Sequence, residues 1–376
     1  MQRRDQPRNP FILEEKINEK THHRHRCALA GLAGTAQASV TLYGVVDANI
    51  EYSNNNLATG QPDGKSKVAL SSGGLSPSRW GLRGVEDLGG GKQAIFALES
   101  GFSVDTGIST QGGRLFGRQA WVGLAAGQHK LTFGRQYSSL FLTMANYSPT
   151  AYATLYEPVT TIAGMGLRQD NMVKYQGDFG PLSTQLHWSF GEQPGSMTGS
   201  AGYGAGVDYR IGAFGIAAAY DNVNSPKVAG DYQRNQKAAL GLRYKITPQL
   251  LAQAAYRYGK NDVATPGAIG RDDLWWFALN YQATPALQLT GAVYYDKLRS
   301  VYGAAGSAPT DPANPWQVTM IADYSLSKRT DVYLSAAFTR NAALNFENFN
   351  GATAAYRIAP NEDSQFGVAV GMRHRF

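Results

Sequence analysis

The ionisable side chains of this sequence are spaced for electrostatics rather than for bond chemistry. Arg79 and Arg83 alternate with Trp80 and Leu82, and Glu99 alternates with Phe96, Leu98 and Phe102. Arg168, Asp170 and Lys174 alternate in the same way with Val173 and Tyr175. Successive side chains of an extended chain point to opposite faces, so these charges share a wet face backed by a greasy one. Fixed guanidinium and carboxylate groups on such a face orient and select ions. Catalysis would need paired carboxylates with a histidine, or serine with histidine, within hydrogen-bond reach. Beyond the N-terminal segment the histidines are His129 in a turn, His187 on the wet face and His374 near the end, none inside a recognisable motif. No enzymatic activity is expected, and no cofactor or metal is implied, because Cys27 is the only cysteine. Neither the glycine run at 89–91 nor that at 202–206 opens a helix after a buried strand, so both read as turn and strand glycines rather than phosphate loops.

The elements that position these charges are strands. Val40, Leu42, Gly44, Val46, Ala48 and Ile50 alternate with Thr41, Tyr43, Asp47, Asn49 and Glu51, which puts Asp47 on the wet face. Phe366, Val368, Val370, Met372, His374 and Phe376 do the same at the C-terminus, against Gln365, Arg373 and Arg375. A period-two strand that reaches the last residue must pair with something, and the first strand is the natural partner. Tight turns between such stretches alternate with longer polar segments, eight of each when the break between the termini is counted. Alternation over roughly ten residues between turn signals is the mark of a transmembrane β-barrel. The expected fold is all-β, a sixteen-stranded antiparallel transmembrane barrel, wide enough to leave an aqueous channel. No stretch approaches the roughly 20 apolar residues of a spanning helix, and the 21 tyrosines suit the two bilayer interfaces, where an amphipathic ring meets both solvents.

Two segments depart from the repeat. Residues 1–38 carry a basic cluster at 22–26, a short apolar run at 27–33 and a small-x-small site at 36–38, and are expected to be a leader with a weak signal peptide, its polar first twenty residues consistent with a misassigned start. The remaining 39–376 form one barrel domain. The leader holds seven of the 35 Lys and Arg and four of the 28 Asp and Glu, so its loss leaves 28 against 24 and lowers the formal charge from +7 to +4. The arginines are dispersed among strands, which argues against nucleic-acid binding. The second departure is the third long segment, 138–167, rich in Leu140, Phe141, Leu142, Met144, Tyr147, Tyr152, Leu155 and Tyr156. Such rings belong out of water, and the segment is expected to fold inward against the barrel wall.

The stretches SVTLYG at 39–44, SRWGLRGVEDLG at 78–89, AIFALESGF at 94–102, FGRQAWVGL at 116–124, FGRQ at 133–136 and VGMRHRF at 370–376 resemble the general trimeric porins of Gram-negative outer membranes, especially those of β-proteobacteria. The resemblance is collinear over the whole mature chain. It implies a water-filled pore for passive diffusion of small hydrophilic solutes and ions, in a homotrimer held in outer-membrane lipid and lipopolysaccharide. It also implies a mid-height constriction of wall arginines facing acids on or near the third segment. By matching motifs, Arg79, Arg118 and Arg168 are the basic side, with Glu99 on the wall and Glu157 in the segment; parity leaves Arg118 undecided and the resemblance turns it inward. Asp47, Arg83, Asp170, Lys174 and His187 are expected to line the pore elsewhere. Three arginines against two carboxylates imply mild anion preference. Arg135 shares parity with Leu131, Phe133 and Tyr137, and a charge facing lipid costs about 2–4 kcal/mol at mid-bilayer, so it is expected to meet a carboxylate of a neighbouring protomer. Phe376 resembles the signal that porins present to the barrel-assembly machinery. A substrate-specific channel, hinted at by Tyr147, Tyr152 and Tyr156, is the nearer alternative, and a barrel-embedded enzyme or adhesin the remote one.

Overall fold

The computed structural model describes residues 38–376 except 165, 265, 304–311 and 350–354. The expected leader, residues 1–38, therefore lies outside the described residues but for Ala38, which begins the first strand. Seventeen strand segments are joined in one antiparallel sheet. They are β1 Ala38–Ala58, β2 Gln61–Ser72, β3 Arg79–Gly89, β4 Lys92–Gly101, β5 Gln119–Ala126, β6 His129–Tyr137, β7 Arg168–Phe179, β8 Leu182–Ser189 and β9 Gly202–Ile211, followed by β10 Phe214–Asn224, β11 Arg234–Lys245, β12 Leu250–Asn261, β13 Ile269–Gln282, β14 Leu287–Val301, β15 Trp316–Ser325, β16 Thr330–Arg340 and β17 Ser364–Arg375. The upper half of β1 faces β2, from Ala48 opposite Ser72 onward, while its lower half faces β3, from Ala38 opposite Glu86 to Val45 opposite Arg79. β2 and β3 are thus two halves of one strand, interrupted at residues 73–78. The barrel has sixteen strands.

Closure joins the chain ends. Val45–Ser53 of β1 lie opposite Arg375–Gly367 of β17. The ladder runs on to the last residue, where Gly44 N donates to Phe376 O at 3.0 Å and Phe376 N to Gly44 O at 3.1 Å. A side chain at residue 44 would collide with the Phe376 ring, since a Cβ there would stand 2.3 Å from it. Only glycine lets the terminal ring lie across the seam.

The two faces are inverted relative to a protein dissolved in water. Leu42, Ile50, Val122, Leu186, Phe277, Leu334 and Val370 are exposed outside, while Asn49, Glu51, Arg257, Gln317 and Thr319 are buried inside. So continuous an apolar belt is stable only against lipid. Residues 53–66, the first of the eight longer polar segments expected between strands, differ from that expectation. They form no long loop but the top of a hairpin, with β1 and β2 meeting at a turn over Thr59 and Gly60. Strands that project beyond the bilayer alternate in shape while carrying polar residues on both faces, which erases the hydrophobic signal.

The described residues of 138–167 fold against part of the inner wall and narrow the interior. β6 ends at Tyr137, and Ser138 caps the helix α1 (Ser139–Met144) by accepting a hydrogen bond from Phe141 N; a short α2 follows at Val159–Ala163. Leu140, Phe141, Met144, Tyr147, Tyr152 and Ile162 pack with Ala217, Ala219, Ala239, Leu274, Trp276 and Tyr294 of the inner wall. Small wall residues make the room. A Cβ at residue 241 would lie 2.7 Å from the Tyr147 ring, which glycine avoids. Polar anchors cross the barrel: Leu140 N to Asp221 (3.1 Å), Tyr147 OH to Asp208 (2.7 Å), Trp276 Nε1 to Tyr147 O (2.8 Å), Tyr156 OH to Glu51 (2.8 Å) and Gln317 Nε2 to Tyr156 O (2.8 Å). The tyrosines that hinted at a substrate ladder are spent mainly on docking this segment.

Candidate pore constriction

Glu99 faces inward from β4 and is met by two cations and a phenol. Its Oε1 accepts from Arg118 Nε at 2.7 Å, and its Oε2 lies 3.5 Å from Arg79 Nε and accepts from Tyr43 OH at 3.1 Å. Arg118 precedes β5, but its backbone N–H still donates to Glu99 O at 3.1 Å, so the ladder has already set its direction. Tyr137, the last residue of β6, is the hinge of the group. Its hydroxyl accepts from Arg118 Nη2 at 2.8 Å and from Arg168 Nη2 at 2.6 Å, and the Arg168 guanidinium lies 4.3 Å from the centre of its ring. The ring itself stacks on Phe141 at 4.5 Å, and Phe141 on Tyr152 at 4.4 Å. The inward segment therefore fixes the arginines by packing against the phenol that holds them.

Guanidinium groups keep their protons, so three positive charges meet one wall carboxylate. Close like charges in a weakly screened interior raise the local potential. A space of about 330 Å³ opens beside them, lined by Arg118, Arg168, Phe141, Tyr152, Glu157 and Glu347. Glu157 is buried and accepts from Ser148 Oγ at 2.6 Å, from Tyr152 N at 2.9 Å and from Thr150 Oγ1. Burial nonetheless pushes its carboxyl up to about 7, because desolvation penalises the charged form. Glu347, which the sequence reading missed, reaches the same space from a 3-10 helix at Leu344–Phe349 and accepts from Tyr356 N at 2.9 Å. Its burial, too, raises its carboxyl. The signal was present: Ala342, Ala343, Leu344, Phe346 and Phe349 make the last long segment apolar in the same way as the third.

The other expected lining residues divide. Arg83 stays on the inner face with its guanidinium 5.5 Å from the Tyr43 ring. Asp47, Lys174 and His187 face inward but are covered. Asp47 accepts from Gly74 N (2.9 Å), Ser76 N (2.8 Å) and Tyr333 OH (2.6 Å), and so satisfies the backbone where the second strand breaks. Lys174 Nζ donates to Tyr137 O at 2.9 Å, and His187 Nδ1 lies 2.8 Å from Ser139 Oγ, so both hold the root of the inward segment.

Asp170 departs further from expectation. β6 and β7 pair Gly134 with Met172 and then Gln136 with Gln169, a shift of one residue. Asn171, at φ 54°, is the extra residue of the bulge, and a bulge reverses parity beyond it. Asp170 thereby joins the outer face, where it pairs with Arg135 Nη1 at 2.7 Å and Arg114 Nη1 at 2.8 Å, while Arg168, of the same parity but at the first residue of the strand, reaches back to the Tyr137 hydroxyl. Arg135 keeps the parity of Leu131 and Phe133, and within its own chain it meets the Asp170 carboxylate.

This barrel with charges gathered around a narrowed interior defines a class. Residues 27–344 match the family model described as Gram-negative porin. The chain is 30% identical to an outer membrane porin protein of Bordetella pertussis, over 93% of this chain and 97% of that one. It is likewise 30% identical to outer membrane porin protein 32 of Delftia acidovorans, over 93% and 98%. Among solved structures it superposes on an anion-selective porin from Comamonas acidovorans with a TM-score of 0.72 and 25% identity, covering 90% of this chain and all of that one. A trimer form of OmpT from Vibrio cholerae, 14% identical with a TM-score of 0.64 over 90% and 99%, shares the fold. The chain belongs to the Gram-negative porin family. It is an outer-membrane pore for passive diffusion of small hydrophilic solutes.

Proposed function

We propose that this porin prefers anions, with Arg79, Arg118 and Arg168 as the selecting side of the constriction. One observation carries the reading: Arg118 and Arg79 both pair with Glu99, and Arg168 is added to the same cluster through the Tyr137 hydroxyl that Arg118 also binds, so three guanidiniums gather about one wall carboxylate. Glu157 and Glu347, both with raised carboxyls, offset that charge less than their number suggests. The name of the Comamonas structure agrees. The assembly is a homotrimer, the solutes are small and hydrophilic, and the protein acts as a channel rather than an enzyme. Its outer face contacts outer-membrane lipid, and Phe376 serves as the address for the assembly machinery, while its backbone completes the seam.

Planar-bilayer conductance and zero-current potential in a salt gradient test the reading. Linear conductance with an anion-signed potential is expected. A cation-signed potential would sink the assignment, and saturating, ligand-blockable conductance would favour a substrate-specific channel instead.

A further inference from the structure

We propose that the constriction is a selectivity site for monocarboxylates with an aromatic body, in which a guanidinium takes the carboxylate and an apolar patch takes the ring. The inference rests on the anion-preferring reading of the pore and names the class of anion that it favours. The space of about 330 Å³ beside the arginines is lined not only by charge but by Phe102, Val159 and Leu167. All three are only partly buried, although they border a channel for water. They come from three separate segments. Phe102 follows β4, and its N–H donates to Ser78 O at 3.1 Å. Val159 opens α2. Leu167 precedes β7, and its carbonyl accepts from Ser138 N at 3.0 Å. Apolar side chains that converge beside a few polar groups are the usual make-up of a small-molecule site, whose volumes begin at about 300 Å³.

The three cations are not equally committed. Arg79 and Arg118 already share Glu99. Among the described residues Arg168 has no carboxylate within ion-pair distance, and its Nε has no hydrogen-bond partner. The Tyr137 hydroxyl that accepts from its Nη2 offers a dipole rather than a charge. A carboxylate is the complement this guanidinium lacks. The body of the solute meets the apolar patch. A compact, strongly hydrated anion must shed water against Phe102, Val159 and Leu167 and gains nothing from them. An aromatic ring gains by leaving water there, and the partly exposed Phe102 ring offers it an edge or a face. Glu157 and Glu347 line the same space, so a second carboxylate on the solute would be repelled by whatever charge they carry. One charge on an apolar body is the best match.

The test measures reversal potentials of the full-length refolded porin in planar bilayers, with potassium chloride on one side and potassium benzoate, acetate or succinate on the other. Benzoate diffuses more slowly than acetate in water, yet its permeability should exceed that of acetate about threefold, with succinate below both. The variant F102Q/V159T keeps every charge and should bring the benzoate-to-acetate ratio to about one. Val159→Thr alone, a change of almost no volume, should lower the ratio by a smaller step and serves where the double variant does not insert. A parent ratio at or below one, with the chloride potential still anion-signed, overturns this inference and leaves the anion preference standing. A cation-signed chloride potential overturns both. A ratio unchanged in the variants overturns the apolar patch as the selecting surface.

Discussion

Two arginine clusters, one facing the interior and one on the outer face, differ in burial rather than composition. Inside, Glu99 takes Arg118 at 2.7 Å and Arg79 at 3.5 Å, with all three side chains no more than 5% exposed. Outside, Asp170 takes Arg135 at 2.7 Å and Arg114 at 2.8 Å, with the carboxylate 44% exposed. Both clusters set two ion-paired arginines on one acid. Only the inner one adds a third guanidinium through Tyr137 and holds all of them where water screens weakly. The inner excess of charge therefore acts on passing ions, while the outer pairs are worth the small energies of exposed salt bridges.

The sharpest way to break this contrast is Arg118→Ala. It leaves a buried Glu99 short of its nearest cation, a loss of about 3–5 kcal/mol for a broken buried pair. Thermal unfolding should drop accordingly, and the reversal potential should move toward zero or become cation-signed. An unchanged potential would count against the inner cluster as the selecting group.

Deleting Asn171 should come next. Removing the extra residue restores the alternation of β7 and turns Asp170 into the lumen. Conductance measurements should then show anion preference reduced, though by less than with Arg118→Ala, and the outer Arg135 stripped of its acid.

Acidity gives a smaller, reversible effect. The carboxyl of Glu157 stays protonated up to about 7 in the folded loop, against an ordinary 4.5. Folding thus favours the proton, so the stability of the seated loop is full below about 4.5 and declines as pH rises toward 7. Selectivity moves in the same direction, because protonation removes a negative charge from the constriction: anion preference should grow as pH falls from 8 to 5. Glu157→Gln should flatten most of that change in reversal potential.

Smallest of all should be Asp170→Asn. Screening limits its cost to about 1 kcal/mol or less, and the reversal potential should not move. A clear change in selectivity would put Asp170 back in the pore.

Much of this was legible in the residues. Alternation gave the strands, the seam between the ends and the inward facing of Arg79 and Glu99, because a buried face imposes strict parity. Parity failed at Asp170 for a reason invisible to it, a single residue in left-handed conformation at 171. It was silent on Arg118, which lies just outside β5 and is aimed by the Glu99 carbonyl. Glu347 went unread because its segment was judged by length and polarity; its aromatic content would have marked it as it marked residues 138–167.

The seam between Gly44 and Phe376 has a temporal meaning. Each hairpin can pair as soon as its two strands exist, yet the bonds that close the cylinder join residues more than three hundred positions apart. Until the final residue is delivered, the sheet has two open edges, and an open edge in hydrocarbon leaves backbone groups without partners. A chain cut short anywhere is therefore not a smaller pore but an unsealed sheet, and completeness of synthesis becomes a physical condition for entering the bilayer.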